Sequence, residues 1–133
     1  MYSPRIRQYY KRNKKLKLNG YGSYAEFLRS DMWLRIKTVL MEKPQSKECF
    51  FCKSSRGIVL HHSRYSKVNI ESAKYLLPVC YQCHTGIHRL ELDKDITTLD
   101  ATREWSDVFR PLSKRDRVLT KTFFKKFWGT LKI

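Results

Sequence analysis

Apolar residues recur at helical spacing between residues 23 and 42, where Phe27, Trp33, Ile36, Leu40 and Met41 alternate with outward Arg29, Arg35 and Lys37. "SYAE" at 23–26 is a capping box, Ser23 accepting at the N-cap and Glu26 reaching back. "RSD" at 29–31 is a point where this helical stretch can break and restart, and Pro44 closes it. The period then shortens. "IVLHH" ending at His62 and "YLLPVC" at 75–80 predict two short strands on either side of a polar loop, 63–73. From Cys83, "CHTGIHRLEL" returns to helical spacing, although Gly86 inside it costs about 1 kcal/mol against alanine. Residues 91–107 predict a further helix packed on the far side. "SKRD" at 113–116 caps a last one, with an apolar stripe from Leu119 through Phe123, Phe124, Phe127 and Trp128. Such a stripe with flanking lysines can meet a membrane, but docking on its own domain is the commoner outcome.

Charge alters the picture at both ends. The 133 residues carry 28 Lys and Arg against 12 Asp and Glu, a net charge of +16, which points to a polyanionic partner. Residues 1–18 hold seven basic residues and no acid, interleaved with Tyr2, Tyr9 and Tyr10, and offer little to a core. They are expected to be an arm that orders on nucleic acid; a solvated tail is the alternative. No apolar run approaches the roughly 18 residues of a spanning helix, and no apolar segment backs the basic N-terminus as in a signal peptide. The expected location is cytoplasmic, in a reducing compartment, with no membrane partner.

The chemistry-bearing side chains fall between residues 49 and 88. Cys49-x2-Cys52 and Cys80-x2-Cys83 supply four thiolates in two pairs, the spacing of a closed, structural zinc site. His84 and His88 stand four apart, on one face of a helix, and can chelate one ion, with His61 or His62 as a third ligand. Neighbours in a regular strand point to opposite faces, so bringing both to one site requires the strand to break. Two readings stay open on spacing alone. One histidine anchors a metal while its neighbour takes a proton from water, or all four are surface or supporting residues around the zinc.

The run "FLRSDMWLRIKTVLMEK…CFFC…LHHSRY…LLPVCYQCHTGIH", about residues 24–90, resembles the HNH endonuclease family of the zinc-knuckle type with paired C-x-x-C motifs. The resemblance implies an α+β fold: a small ββα-metal core with a four-cysteine zinc knuckle, flanked by an N-terminal helix and C-terminal helices. Carried over by position, His62 matches the general base and His61 the metal ligand before it. His84 matches the helix ligand and His88 an extra helix ligand. Cys49, Cys52, Cys80 and Cys83 match the structural zinc ligands. The middle Asn of the family pattern falls at Tyr75, a departure at the position that steadies the loop carrying the base; Asn69 is a loop residue that could substitute.

The expectation is a metal-dependent endonuclease hydrolysing phosphodiester bonds, DNA favoured over RNA, with a phage or mobile-element setting compatible. The cofactors would be a structural Zn²⁺ and a catalytic divalent metal (Mn²⁺, Ni²⁺, Zn²⁺ or Mg²⁺); imidazole ligands favour transition ions over Mg²⁺. Phosphate contacts are expected from Arg5, Arg7, Lys11, Arg12, Lys14 and Lys15 of the arm, Arg56, Arg64 and Lys67 near the hairpin, and Lys125 and Lys126 at the C-terminal end. The domain division is an arm at 1–22, the metal domain at 23–92 and a helical extension at 93–133. The competing reading is a non-cleaving, zinc-stabilised nucleic-acid-binding protein, a subunit of a larger assembly; a homodimer is compatible with either.

Overall fold

A computed structural model describes residues 2–65, 70–109 and 119–133. It is a mixed structure of helices around one small antiparallel sheet. Six helices occur among the described residues: α1 (Pro4–Leu18), α2 (Tyr24–Leu28), α3 (Asp31–Met41), α4 (Tyr81–Lys94), α5 (Thr98–Phe109) and α6 (Lys121–Trp128). The strands β1 (Val59–His62) and β2 (Leu76–Val79) pair with Val59 opposite Val79 and His62 opposite Leu76. Short 3₁₀ turns at Pro44–Lys47 and Ile70–Tyr75 lead into the first cysteine pair and β2.

The first correction concerns residues 1–18, expected as an arm. Of these, Pro4–Leu18 form α1, and the reasons are local. Ser3 accepts from the Ile6 N–H at the N-cap, Pro4 opens the first turn, and Lys15 and Lys17 sit in the last turn, where the helix dipole favours cations. Ile6, Tyr9, Arg12 and Leu16 recur at three- to four-residue spacing, and Leu16 is wholly buried. A sparse stripe diluted by seven basic residues does not register as amphipathic, yet it suffices for docking.

Ser23 caps α2 by accepting from the Glu26 N–H, while the Glu26 carboxylate reaches back one residue further than a capping box requires, to the Gly22 N–H. Ser30 restarts the helix by accepting from the Trp33 N–H, so "RSD" is the break between α2 and α3. Tyr75 lies in the 3₁₀ turn rather than in β2. Helix α4 begins at Tyr81, two residues earlier than the pattern suggests, because Cys80 serves as its N-cap. The acidic stretch 91–107 is not one helix. Helix α4 ends at Lys94, Asp95 adopts a left-handed conformation with φ 54°, and α5 starts at Thr98. The expected cap "SKRD" lies outside the described residues; Thr120 caps α6, and Leu119 precedes it. The apolar stripe of α6 is docked: Phe124 and Trp128 are buried, and Trp128 Nε1 donates to the Leu76 carbonyl of β2 at 2.9 Å. Among the described residues no helix is long and apolar enough to cross a membrane.

Gly86, expected to weaken α4, is needed there. A Cβ at this position would overlap the Trp105 ring of α5, with Cζ3 only 2.7 Å away, so the absence of a side chain lets the indole lie on the helix. Gly86→Ala is expected to cost about 1–3 kcal/mol by overpacking despite alanine's better helix propensity. Urea denaturation would measure it. A more stable variant would mean that α5 does not pack this way.

Candidate metal centres

The four cysteines come together where two backbone turns meet. Phe50 N–H donates to the Pro78 carbonyl at 2.8 Å, fastening the first pair to β2, and Cys49 N–H donates to the Ser54 carbonyl at 2.7 Å. Lys53, with φ 68°, takes the left-handed turn that closes this loop. Backbone N–H groups point at sulfur in both pairs, Phe51 to Cys49 Sγ and Cys83 to Cys80 Sγ, each at 3.4 Å. Burial pushes the Cys49 thiol up, but the surrounding backbone donors outweigh it and hold it below its usual range. All four sulfurs lie within 4.8 Å of one another, and Cys52 and Cys80 are 3.6 Å apart. Tetrahedral zinc with bonds of about 2.3 Å places sulfurs about 3.8 Å apart, so the cluster is compatible with a structural zinc ion.

A second cluster joins His61 of β1 to His84 and His88 of α4, their ring nitrogens likewise within 4.8 Å. His61 is wholly buried, and its Nε2 lies 2.9 Å from Thr102 Oγ1 of α5. The Thr102 proton goes to the Thr98 carbonyl at 2.7 Å, so Thr102 accepts from His61, and Nε2 carries the hydrogen. Nδ1 is left with a lone pair, out of solvent and without a partner among the described residues. His88 is fixed in the same way from the other side, its Nδ1 3.3 Å from the Glu91 carboxylate. The Nε2 atoms of His84 and His88 then face each other at 3.2 Å. With Nδ1–H of His88 turned to Glu91, its Nε2 presents a lone pair toward His84. That atom, His84 Nε2 and the orphaned nitrogen of His61 make a donor set that suits a shared cation, with hydrogen-bonded oxygens behind two of the rings. Burial and the neighbouring imidazole push His84 down to about 4, so the ring is neutral at physiological pH.

Glu91 is the hub behind His88. Buried in α4, it accepts from Tyr9 Oη and Gln8 Nε2 of α1 and from Thr98 Oγ1. Burial raises its carboxyl, but the bonds with His88, Thr98 and Tyr9 prevail and hold it below the usual range. Nothing in the sequence reading marked Thr102 or Glu91. The i, i+3 spacing from His88 was an available signal for Glu91; Thr102 carries none.

His62 lies on the opposite side of β1 from His61, as strand alternation requires. The strand does not break there. Its ring is stacked between Trp33 (5.1 Å between centroids) and Tyr65 (5.7 Å), and Nδ1 is 3.0 Å from the Tyr24 hydroxyl. Its Nε2 has no partner among the described residues. Burial, then the Arg12 cation, push His62 down to about 3. His62, His84 and His88 border one cleft of about 750 Å³ between α2, α3, β1 and α4. Its other walls are largely apolar, including Leu28, Met41 and Ile58, with Lys37 as the one lysine or arginine among the described residues. Lys37 was read only as outward-facing.

The expected phosphate-binding residues divide. Arg7, Lys11 and Lys14 on α1, Arg56, and Lys125 and Lys126 on α6 are exposed, as is Lys15. Three are turned to structural use instead. Arg5 pairs with Asp95 at 2.9 Å. Arg12 lies over the rings of Tyr24, Tyr9 and Tyr65. Arg64 donates to the Leu119 carbonyl and covers the Tyr75 ring. Lys67 and Asn69 lie outside the described residues. No protein-family model, curated protein or solved structure was found to match the chain.

Proposed function

We propose that this protein is a metal-dependent endonuclease of the HNH type, hydrolysing phosphodiester bonds in DNA. In this reading β1, β2 and α4 form a ββα-metal core, with the cysteine cluster as its structural zinc knuckle. One observation carries it. Ring nitrogens of His61, His84 and His88 converge beside a cleft that a fourth, neutral imidazole, His62, also borders. A protein that only binds nucleic acid has no use for that arrangement.

His61, His84 and His88 would hold the catalytic ion, with Thr102 and Glu91 fixing two of the rings. A divalent ion there supplies a Lewis acid for the phosphoryl oxygens and the leaving oxygen. His62 accepts the proton of the attacking water at Nε2, its partnerless nitrogen. A bound phosphodiester adds negative charge beside this ring and raises its basicity from the low value burial imposes. Lys37 holds a phosphate at the cleft, and the exposed lysines and arginine of α1 track the backbone without reading sequence. Ser63 Oγ donates to the Tyr75 carbonyl at 2.7 Å, so the loop after the base is tied down through backbone at the position of the family's Asn.

One observation favours the alternative, a non-cleaving nucleic-acid-binding module. His62 is only 5% exposed, and its basicity is low for a catalyst working near neutral pH. Supercoiled plasmid incubated with Mn²⁺, Ni²⁺, Zn²⁺, Mg²⁺ or EDTA separates the two. The endonuclease reading expects metal-dependent nicking, faster with Mn²⁺ or Ni²⁺ than with Mg²⁺, since imidazole ligands suit transition ions. Plasmid retarded but uncut under every metal would establish the binding module. Equal or faster cleavage with Mg²⁺ would count against His84 and His88 as joint ligands.

A further inference from the structure

His62 needs more than a place beside the cleft. An imidazole acts as a base only in the tautomer that leaves its lone pair toward the substrate. Stacking between Trp33 and Tyr65 holds the plane of the ring but leaves open which nitrogen carries the hydrogen. Among the described residues, the polar group that meets the ring is the Tyr24 hydroxyl at Nδ1. Position 75 supplies nothing of the kind, for the Tyr75 ring stands edge-on against Phe124 of α6.

We propose that Tyr24, held in place by Arg12, is the positioning residue that fixes the tautomer and orientation of His62. Nδ1–H donates to the tyrosine oxygen, and Nε2, which has no partner among the described residues, keeps its lone pair. The opposite tautomer would bury an N–H at Nε2 without an acceptor, a costlier orphan than an unpaired lone pair. Tyr24 itself lines the cleft, and its hydroxyl also pairs with that of Tyr65. Its ring is clamped on two sides. The Arg12 guanidinium lies 4.1 Å from its centroid, and Tyr65 meets it edge-on at 5.7 Å. Arg12 comes from α1, the same helix whose Gln8 and Tyr9 bond Glu91 behind His88. The N-terminal helix therefore braces the proposed base and a proposed metal ligand at once, through two separate contacts.

This inference rests on the endonuclease reading, and the test separates the two. Tyr24→Phe removes one oxygen and keeps the ring, so the aromatic packing survives. In zinc-loaded protein with saturating Mn²⁺, kcat for plasmid nicking is expected to fall about 10- to 100-fold with KM unchanged, as for the loss of an orienting partner. The second readout needs no activity. A long-range ¹H–¹⁵N spectrum of histidine-labelled protein with zinc alone should show His62 protonated at Nδ1 in wild type and as a tautomer mixture in Tyr24→Phe. Arg12→Gln should shift both readouts in the same direction by less. An unchanged kcat, or a tautomer identical in wild type and Tyr24→Phe, would overturn the positioning role. A wild type that cuts nothing would overturn the function instead, while the spectrum would still decide the hydrogen bond.

Discussion

Stripping metal from the four-cysteine cluster is expected to unfold the protein. The cluster joins the loop after the first 3₁₀ turn to the N-terminus of α4, and among the described residues few backbone bonds hold that loop. Structural zinc binding is worth about 10–16 kcal/mol in small zinc domains, against a total stability of about 5–15 kcal/mol for an ordinary domain. The metal term therefore decides whether the fold persists. Circular dichroism after dialysis against a strong chelator should show a cooperative loss of helix, reversed by one equivalent of Zn²⁺. Cys83→Ala should behave like the chelated protein, because three thiolates hold the ion far less tightly than four. Unchanged melting after a measured loss of zinc would mean that the hydrophobic core alone maintains the fold.

Replacing His62 is expected to remove cleavage without removing metal. A positioned general base contributes about 10²- to 10⁴-fold to rate, and in the proposed mechanism the other three imidazoles, His61, His84 and His88, would be taken up by the ion. His62→Ala also opens a hole between Trp33 and Tyr65. His62→Gln, which fills more of that space and cannot act as a comparable base, keeps the prediction separate from folding. Both variants should retain the wild-type metal content and retard plasmid like wild type, while nicking falls by at least about 10²-fold. Nicking within a few-fold of wild type in His62→Gln would remove His62 from the mechanism.

Much of this arrangement was legible in the sequence. The cysteine spacing leads to the four-cysteine cluster, and the i, i+4 histidines lead to one face of α4, because both are local patterns. The two strands and the break at Ser30 were readable from period and capping for the same reason. Four things were not. Helix α1 was hidden because its inward side is built from Ile6, Tyr9, Arg12 and Leu16, in which an arginine and a tyrosine take the place of apolar residues. The role of Gly86 depends on Trp105, on another helix, so local propensity gives it the wrong sign. Thr102, Glu91 and Tyr24 act by hydrogen bonds between elements distant in sequence, and only Glu91 has a neighbouring partner that could have flagged it. Arg5, Arg12 and Arg64 count toward the basic charge, but composition does not reveal that tyrosine faces, Asp95 and the Leu119 carbonyl already occupy them.

Hydrolysis, in this mechanism, depends on the three-histidine cluster being a second metal centre. The decisive experiment titrates Mn²⁺ into zinc-loaded protein and reads bound metal and plasmid nicking in the same samples. One further equivalent should bind beyond the zinc, and nicking should rise in step with it. Both should be lost in a His84→Ala, His88→Ala double variant that keeps its zinc. No second equivalent, or nicking that the double variant retains, would contradict the mechanism.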